Sequence, residues 1–320
     1  MRVQVESTGF FAPAKVETAA DIAARCDTSE DWILQATGVA RRHVCTTTVS
    51  DMAAQAARQA LGDGPPPDLI LNCSLTPVQL IPDSSVFHQQ ALGFDGIPSF
   101  SIHATCLSFL VGLHTASSLL TSGAYRRILL VSAEQGSVCR NFAEPESAGL
   151  IGDGAGAAVL VPTPLDGGSE LLAWHMSTQP SGAEYTHIKG CGTRHHPNAT
   201  TTEPHHNLFH MNGRGVYRSA YKAVAIMLDT LFLKAGLDRS DVALVVPHQA
   251  SGNGLKAVQK LGFAQDRIID IVGEYGNCIA ASIPMALHCA NRQGRLSRGD
   301  LVLIMGTGAG LSVAGALIRW

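Results

Sequence analysis

The chain has no excess of positive charge. Its 320 residues carry 23 Lys+Arg against 26 Asp+Glu, a formal net charge of −3. A nucleic-acid-binding surface needs a basic excess or stripe to neutralise phosphates, so that class of partner is not expected. No apolar run approaches the ~18 residues needed to cross a bilayer. The first 18 residues contain one early Arg, but no apolar h-region and no small-residue cleavage site. The eight cysteines (26, 45, 73, 106, 139, 191, 278, 289) form no C-x-x-C pair. In a chain of this length they read as reduced thiols of a cytoplasmic protein, not as a disulfide frame. The composition of a disordered chain is missing too: apolar residues make up 46% and charged residues only 15%.

What is present is an alternation. Strand-length aliphatic runs at 68–72, 128–132, 157–161, 242–246, 268–272 and 301–305 are apolar almost throughout. That is the pattern of strands buried on both faces, as in a mainly parallel sheet. Ala-rich helical stretches lie between them at 51–61, 108–122, 217–236, 254–261 and 283–292, which indicates an α/β fold. The run Pro65-Pro66-Pro67 is a rigid spacer.

The chain also repeats itself. Ser108-Phe-Leu-Val-Gly-Leu-His-Thr-Ala116 matches Ser282-Ile-Pro-Met-Ala-Leu-His-Cys-Ala290 at four of nine positions, an offset of 174. Gly152-Asp-Gly-Ala-Gly matches Gly306-Thr-Gly-Ala-Gly at an offset of 154, which implies an insertion of 20 residues in the first copy. Two similar halves, 1–168 and 169–320, are therefore expected, with a site where they meet.

Three residues stand at the loop–helix corners of this pattern. Cys106 precedes a helix start, where unpaired N–H groups and the macrodipole lower a thiol pKa. An inert buried cysteine also suits that position. His248 directly follows a buried strand, where α/β sheets present ligand-contacting groups; a structural histidine fits as well. Asn277 precedes the repeated helix and corresponds to His103 at the 174 offset, as Ala280 corresponds to Cys106; it also reads as a turn or cap residue. The Gly-rich segments lead into strands, not into a helix, which rules out a dinucleotide loop. Gly306, Gly308 and Gly310 instead let backbone approach a reacting group, with an N–H there available to an oxyanion. The cluster His195, His196, His205, His206, His210 and Cys191 falls in a polar loop and is read as no metal site.

Thr105-Cys106-Leu-Ser-Phe, Gly152-Asp-Gly-Ala-Gly, Val246-Pro-His248-Gln-Ala and Gly276-Asn277-x-x-Ala-Ala-Ser-Ile-Pro together resemble β-ketoacyl-ACP synthase III, a condensing enzyme of the thiolase superfamily. Asp27-Thr-Ser-Glu-Asp-Trp32 and the ending Gly-Ala-Leu-Ile-Arg-Trp320 resemble it too. The resemblance implies a five-layer αβαβα sandwich of two duplicated halves, usually a homodimer. It implies Cys106 as acyl-accepting nucleophile, with His248 and Asn277 donating hydrogen bonds to a malonyl thioester. Backbone N–H groups of Cys106 and the Gly308-Ala309-Gly310 turn would serve the oxyanion. The substrates would be acyl and malonyl thioesters of acyl-carrier protein or coenzyme A, with no tightly bound cofactor. Acyl transfer to an oxygen or nitrogen acceptor, or joining of two acyl chains, are the alternatives. The joining reaction tends to use a Glu base, and the run 69–76 contains no acid.

The departures from the family pattern concern the donor. Positions where the family commonly carries Arg hold Ala36, Glu146 and Asn253, and only Trp32 of the adenine clamp remains. A carrier protein is therefore favoured over coenzyme A, in a branch of specialised metabolism. The segments 77–87, 137–150 and 176–210 are expected to shape the acyl tunnel.

Overall fold

A computed structural model describes all of residues 1–320. The first set of elements is β1 (Val3–Phe11), β2 (Lys15–Thr18), α1 (Ala19–Arg25), α2 (Glu30–Thr37), β3 (Arg41–Val44), α3 (Val49–Leu61), β4 (Leu69–Asn72), α4 (Ser84–Leu92), β5 (Ser99–Ser101), α5 (Ser108–Thr121), β6 (Ile128–Gln135), α6 (Pro145–Leu150) and β7 (Asp153–Pro162). The second is β8 (Glu170–Thr178), β9 (Thr186–His187), β10 (His210–Met211), α7 (Gly213–Ala235), β11 (Leu244–Pro247), α8 (Gly252–Lys260), α9 (Val272–Tyr275), α10 (Ser282–Arg292), β12 (Leu301–Gly308) and β13 (Ser312–Arg319).

Two sheets carry the fold, in the orders β1-β7-β6-β4-β5 and β11-β12-β13-β8. Reversed, the second order repeats the first: β8 stands for β1, β13 for β7, β12 for β6 and β11 for β4. The partner of β5 is reduced to a single parallel bridge between Val245 and Ile268. The apolar run 268–272 is therefore not a strand, although it lies where the fifth strand would be; from Val272 the chain turns into α9. The sheets are mixed, not mainly parallel. The β4–β5, β4–β6 and β11–β12 pairs are parallel, and the long ladders of β7 and β13 are antiparallel. Antiparallel β7 reads like a parallel strand because both of its faces are covered.

The ladders also correct the repeat. Leu160 faces Ile128, and Ile318 faces Val302. With β6 laid on β12 at 174, β7 falls on β13 at 158. The Gly-rich match at 154 is four residues out of register, and its two copies occupy different places.

Five layers result. Helix α3 packs Met52, Ala53 and Ala56 on the outer face of the first sheet, against Ile70, Leu129 and Val159. Helices α5 and α10 fill the space between the sheets with Leu110, Leu113, Ile283 and Met285. Helices α7 and α8 cover the second sheet through Met227, Leu231 and Val258. This is the αβαβα sandwich. Its close spacing has local causes: α3 rests so near β1 that a Cβ on Gly9 would lie 1.9 Å from the Ala56 carbonyl oxygen. No helix is long and apolar enough to cross a membrane.

Candidate active site

The site grows from two corners that share one geometry. After β5 the chain bends at Thr105, whose φ is +53°; 174 residues later it bends at Ile279, φ +48°. Both are β-branched residues in the left-handed region, where such side chains are strained. Each bend is pinned alike. Ser108 Oγ donates to the Thr105 carbonyl at 2.6 Å, and Ser282 Oγ lies 2.9 Å from the Ile279 carbonyl. Leu107 N–H donates to Ala104 O, and Ala281 N–H to Cys278 O. In the first corner the next residue is Cys106; in the second it is Ala280.

The sulfur of Cys106 is a thiol at rest. Burial pushes it up to about 12, the Glu134 carboxylate adds to the rise, and the N–H groups of Ala309 and Cys106 pull the other way. The expectation of a thiolate held at a helix start is overturned here. Helix α5 begins two residues later, with Leu107 as an N-cap that supplies no side-chain hydrogen bond. Removal of the sulfur from water outweighs the local dipoles.

His248 leaves β11 with its N–H bound to Met305 O at 2.8 Å, and its ring is buried. Burial pushes the imidazole down to about 4, so it is neutral at pH 7. Its Nδ1 lies 2.6 Å from Ser282 Oγ. That hydroxyl has one proton and two claims on it. When the proton goes to Ile279 O, the imidazole holds its own proton on Nδ1 and Nε2 is bare. When it turns to Nδ1, Nε2 carries the proton. Ser282, beyond the residues picked from the sequence, therefore controls which form His248 presents. The signal was available: Ser282 is the 174-offset partner of Ser108 and opens the repeated helix.

Asn277 is held from both halves. Its N–H donates to Leu150 O at 2.8 Å, and its carbonyl accepts from Gly152 N–H at 3.2 Å. The side-chain Oδ1 accepts Ile279 N–H at 2.9 Å, which orients the amide, and Nδ2 donates to Ala250 O at 3.2 Å. The second Nδ2 hydrogen has no partner within the protein.

Glycines allow close approach around the site. A Cβ on Gly306 would lie 2.9 Å from His248 Cβ, and one on Gly308 would lie 2.6 Å from Thr105 Oγ1. Gly310 turns β12 into β13 at φ +85°.

Cys106, His248, Asn277, Gly308, Ala309 and Gly310 line one inner cavity of about 110 Å³. It opens beside an outer cavity of about 910 Å³, which shares His248 and Asn277 with it. The inner wall includes Leu75, Thr76, Cys139, Tyr185 and Phe209. Segments 137–150 and 176–210 thus shape it as expected, whereas no residue of 77–87 lines it. The outer rim carries Ala36, Glu146 and Asn253 together, with four cations: Arg214, Arg218, Lys256 and Lys260. Trp32 lines neither cavity; it is 42% exposed on α2, one turn before Ala36.

A second residue missed in the sequence is Glu134. It is fully buried at the end of β6 and accepts Leu75 N–H at 2.6 Å, Thr76 N–H at 2.9 Å and Thr76 O–H at 2.7 Å. The Ala280 N–H reaches it as well, yet burial still pushes the carboxyl up to about 7. An acid does stand beside the run 69–76, from the neighbouring strand, but it faces these donors and does not line either cavity.

Comparison with known proteins agrees with this architecture. The model of the 3-oxoacyl-[acyl-carrier-protein (ACP)] synthase III C terminal matches residues 232–320, and the model of 3-oxoacyl-[ACP] synthase III matches residues 100–180. The β-ketoacyl-[acyl-carrier-protein] synthase III of Desulfitobacterium hafniense is 33% identical over 99% of this chain and 98% of its own. The crystal structure of 3-oxoacyl-[acyl-carrier-protein] synthase III from Aquifex aeolicus superposes with a TM-score of 0.90 at 32% identity, covering 99% of this chain and all of that one. The priming β-ketosynthase of the R1128 polyketide pathway superposes at 0.89 with 28% identity, covering 99% and 96%.

Proposed function

The chain belongs to the 3-oxoacyl-[acyl-carrier-protein] synthase III family of condensing acyltransferases, and from that premise we propose that it joins an acyl group on Cys106 to a malonyl-type thioester with loss of CO₂. The observation that carries the reading is the single cavity lined by Cys106, His248, Asn277 and the Gly308–Gly310 turn.

In the first half-reaction the Cys106 sulfur attacks the acyl thioester carbonyl. Its proton passes to the bare Nε2 of His248, and the donor thiol leaves with a proton. A neutral thiol beside a neutral imidazole means that this transfer accompanies attack. In the second, the C–C bond to the malonyl carboxylate breaks, CO₂ departs, and the electron pair stays as an enolate. The free Nδ2 hydrogen of Asn277 and a protonated Nε2 of His248 hold that charge. The enolate carbon attacks the acyl-cysteine, and the tetrahedral oxyanion rests on the N–H groups of Cys106 and Ala309. Collapse yields a 3-oxoacyl thioester and expels the Cys106 sulfur as a thiolate, which takes a proton from water to return to the thiol. His248 thus accepts a proton in one step and donates a hydrogen bond in the other, and rotation of Ser282 supports the change.

The inner cavity is of the order of the ~150 Å³ space that admits benzene, which favours a short acyl group. The four cations on the outer rim favour a carrier protein with an acidic face, and Glu146 disfavours the phosphates of coenzyme A. A homodimer is part of the proposal: Leu80 and Ile81 are 84% and 80% exposed, just before Asp83, whose carboxylate accepts the Ser101 hydroxyl on the edge strand β5.

The test offers short acyl groups on acyl-carrier protein and on coenzyme A, with malonyl-carrier protein, and measures CO₂ and 3-oxoacyl product. One CO₂ per product, with the carrier-bound donor preferred, is expected. Acylation of Cys106 without CO₂ release, followed by transfer to an added alcohol or amine, would replace condensation by simple acyl transfer.

A further inference from the structure

The inner and outer cavities meet at a neck, and one polar residue of that neck has no part in the condensation. Six residues line both cavities: Met211, Val216, His248, Ala250, Asn277 and Thr307. Three are apolar, and three carry hydrogen-bonding side chains. His248 and Asn277 hold the enolate oxygen; Thr307 is left over. Two other threonines of the inner wall have their hydroxyls withdrawn. That of Thr76 donates to Glu134 at 2.7 Å, and Thr105 Oγ1 is sealed beside Gly308 without a partner. Thr307 is half-buried, and its hydroxyl is bonded to no other protein group. Unlike Thr105 Oγ1, it is not closed off from the cavity space.

The strand sets the direction of this side chain. Residues alternate between the two faces along β12. Ile304 belongs to the core between the sheets, whereas Met305 packs with Met227 of α7 and Val313 of β13. Thr307 follows Met305 by two residues and pairs with Val313 across the ladder, so it faces the α7 side. The outer cavity, through which a carrier-borne thioester arrives, lies on that side. In a malonyl thioester, one CH₂ separates the carboxylate from the carbonyl that His248 and Asn277 hold. The carboxylate must therefore sit in the same neck. It brings a negative charge to a place where the six residues carry none, His248 being neutral.

We propose that the Thr307 hydroxyl donates a hydrogen bond to the malonyl carboxylate and so selects a carboxylated extender unit. The inference rests on the condensation proposed above. As the C–C bond breaks, its electron pair moves to the enolate and the departing CO₂ carries no charge. The hydrogen bond from Thr307 therefore belongs to the ground state. It favours binding of the malonyl donor and contributes nothing to bond breaking, which His248 and Asn277 serve.

The experiment compares Thr307→Val, which keeps the branched shape and removes the hydroxyl, with Thr307→Ser, which keeps the hydroxyl. Intact-protein mass spectrometry gives the rate at which an acyl-carrier donor acylates Cys106. Steady-state CO₂ release with malonyl-carrier protein gives KM and kcat. Loss of a hydrogen bond to a charged group raises KM for the malonyl donor by about 10–100-fold in Thr307→Val, with kcat held or raised and acylation unchanged. Thr307→Ser restores KM. Thermal melts establish that both variants are folded. An unchanged KM, a loss confined to kcat, or no rescue by serine would overturn the assignment. Equal weakening toward both donors would place the hydroxyl on the carrier arm common to them and overturn it too. The wild type separates the two readings: without CO₂ release condensation itself falls, whereas with it and with silent variants only the role of Thr307 falls.

Discussion

At the scale of single residues, protonation states decide the chemistry. A free cysteine in a family motif suggests a thiolate, but the surroundings of Cys106 keep it protonated until substrate arrives. Cys106→Ala is expected to abolish acyl-enzyme formation, and Asn277→Ala to spare it while stopping condensation; intact-protein mass spectrometry with a short acyl-carrier donor reads both. Acylation that persists on another cysteine would displace Cys106 from the reaction. Ser282→Ala leaves Nδ1 of His248 without its partner. The rate of both half-reactions is expected to fall by about 10²-fold, the lower end of what a positioned acid or base contributes, as read in single-turnover kinetics. An unchanged rate would show that the hydroxyl does not govern the imidazole. Cys106 and Asn277 stood out in the sequence because motif and repeat both mark them, and His248 because it follows a buried strand within a motif; the structure brings the three to one cavity. Ser282 and Glu134 did not stand out, because their roles exist only once distant backbone donors and acceptors are brought to them.

At the scale of elements, the alternation of aliphatic runs and Ala-rich stretches told where β4, β6, β7, β11 and β12 lie, but not how they pair. Burial on both faces makes an antiparallel strand look like a parallel one, and this hid the mixed sheets. The sheet-edge strands β1 and β8 escaped notice because their burial is incomplete. The run 268–272 is apolar enough for a strand, yet forms one bridge before α9 begins. Close approach between elements is the more sensitive matter. Gly306→Ala places a methyl against His248 Cβ on the end of β12. A shift of order 1 Å in a catalytic group can cost about 10²-fold in rate, so turnover should collapse while circular dichroism stays native. In Gly9→Ala the obstruction is the backbone of α3, which cannot swing aside. A loss of about 1–3 kcal/mol or more is expected in chemical denaturation, with little effect on the rate of the folded fraction.

At the scale of the molecule, buried titratable groups set the response to acid. His248 and His88 are both pushed down to about 4 by burial. As pH falls from about 6.5 to 4, the unfolded chain takes up two protons that the folded one refuses. Each costs about 3 kcal/mol of stability over that window. Glu134 works in the opposite sense: its carboxyl, at about 7 in the fold, takes its proton first and adds stability as pH falls from 7 to 4.5. Two losses against one gain leave a net decline. The melting temperature should fall between pH 6.5 and 4, and His88→Gln should flatten the slope; a slope unchanged in that variant would remove His88 from the account. The duplication itself was readable from the offset of 174, and it gives Glu134 its meaning. At that offset its counterpart is Gly308. On one side of the pseudo-axis the Glu134 carboxyl stands at the N–H of the bend at Ala280; on the other, a glycine leaves the N–H of Cys106 open to a charge that comes and goes. The chain fills one of the two matching bends with its own carboxyl and leaves the other open, so a cysteine placed at position 280 alone would not arm a second centre.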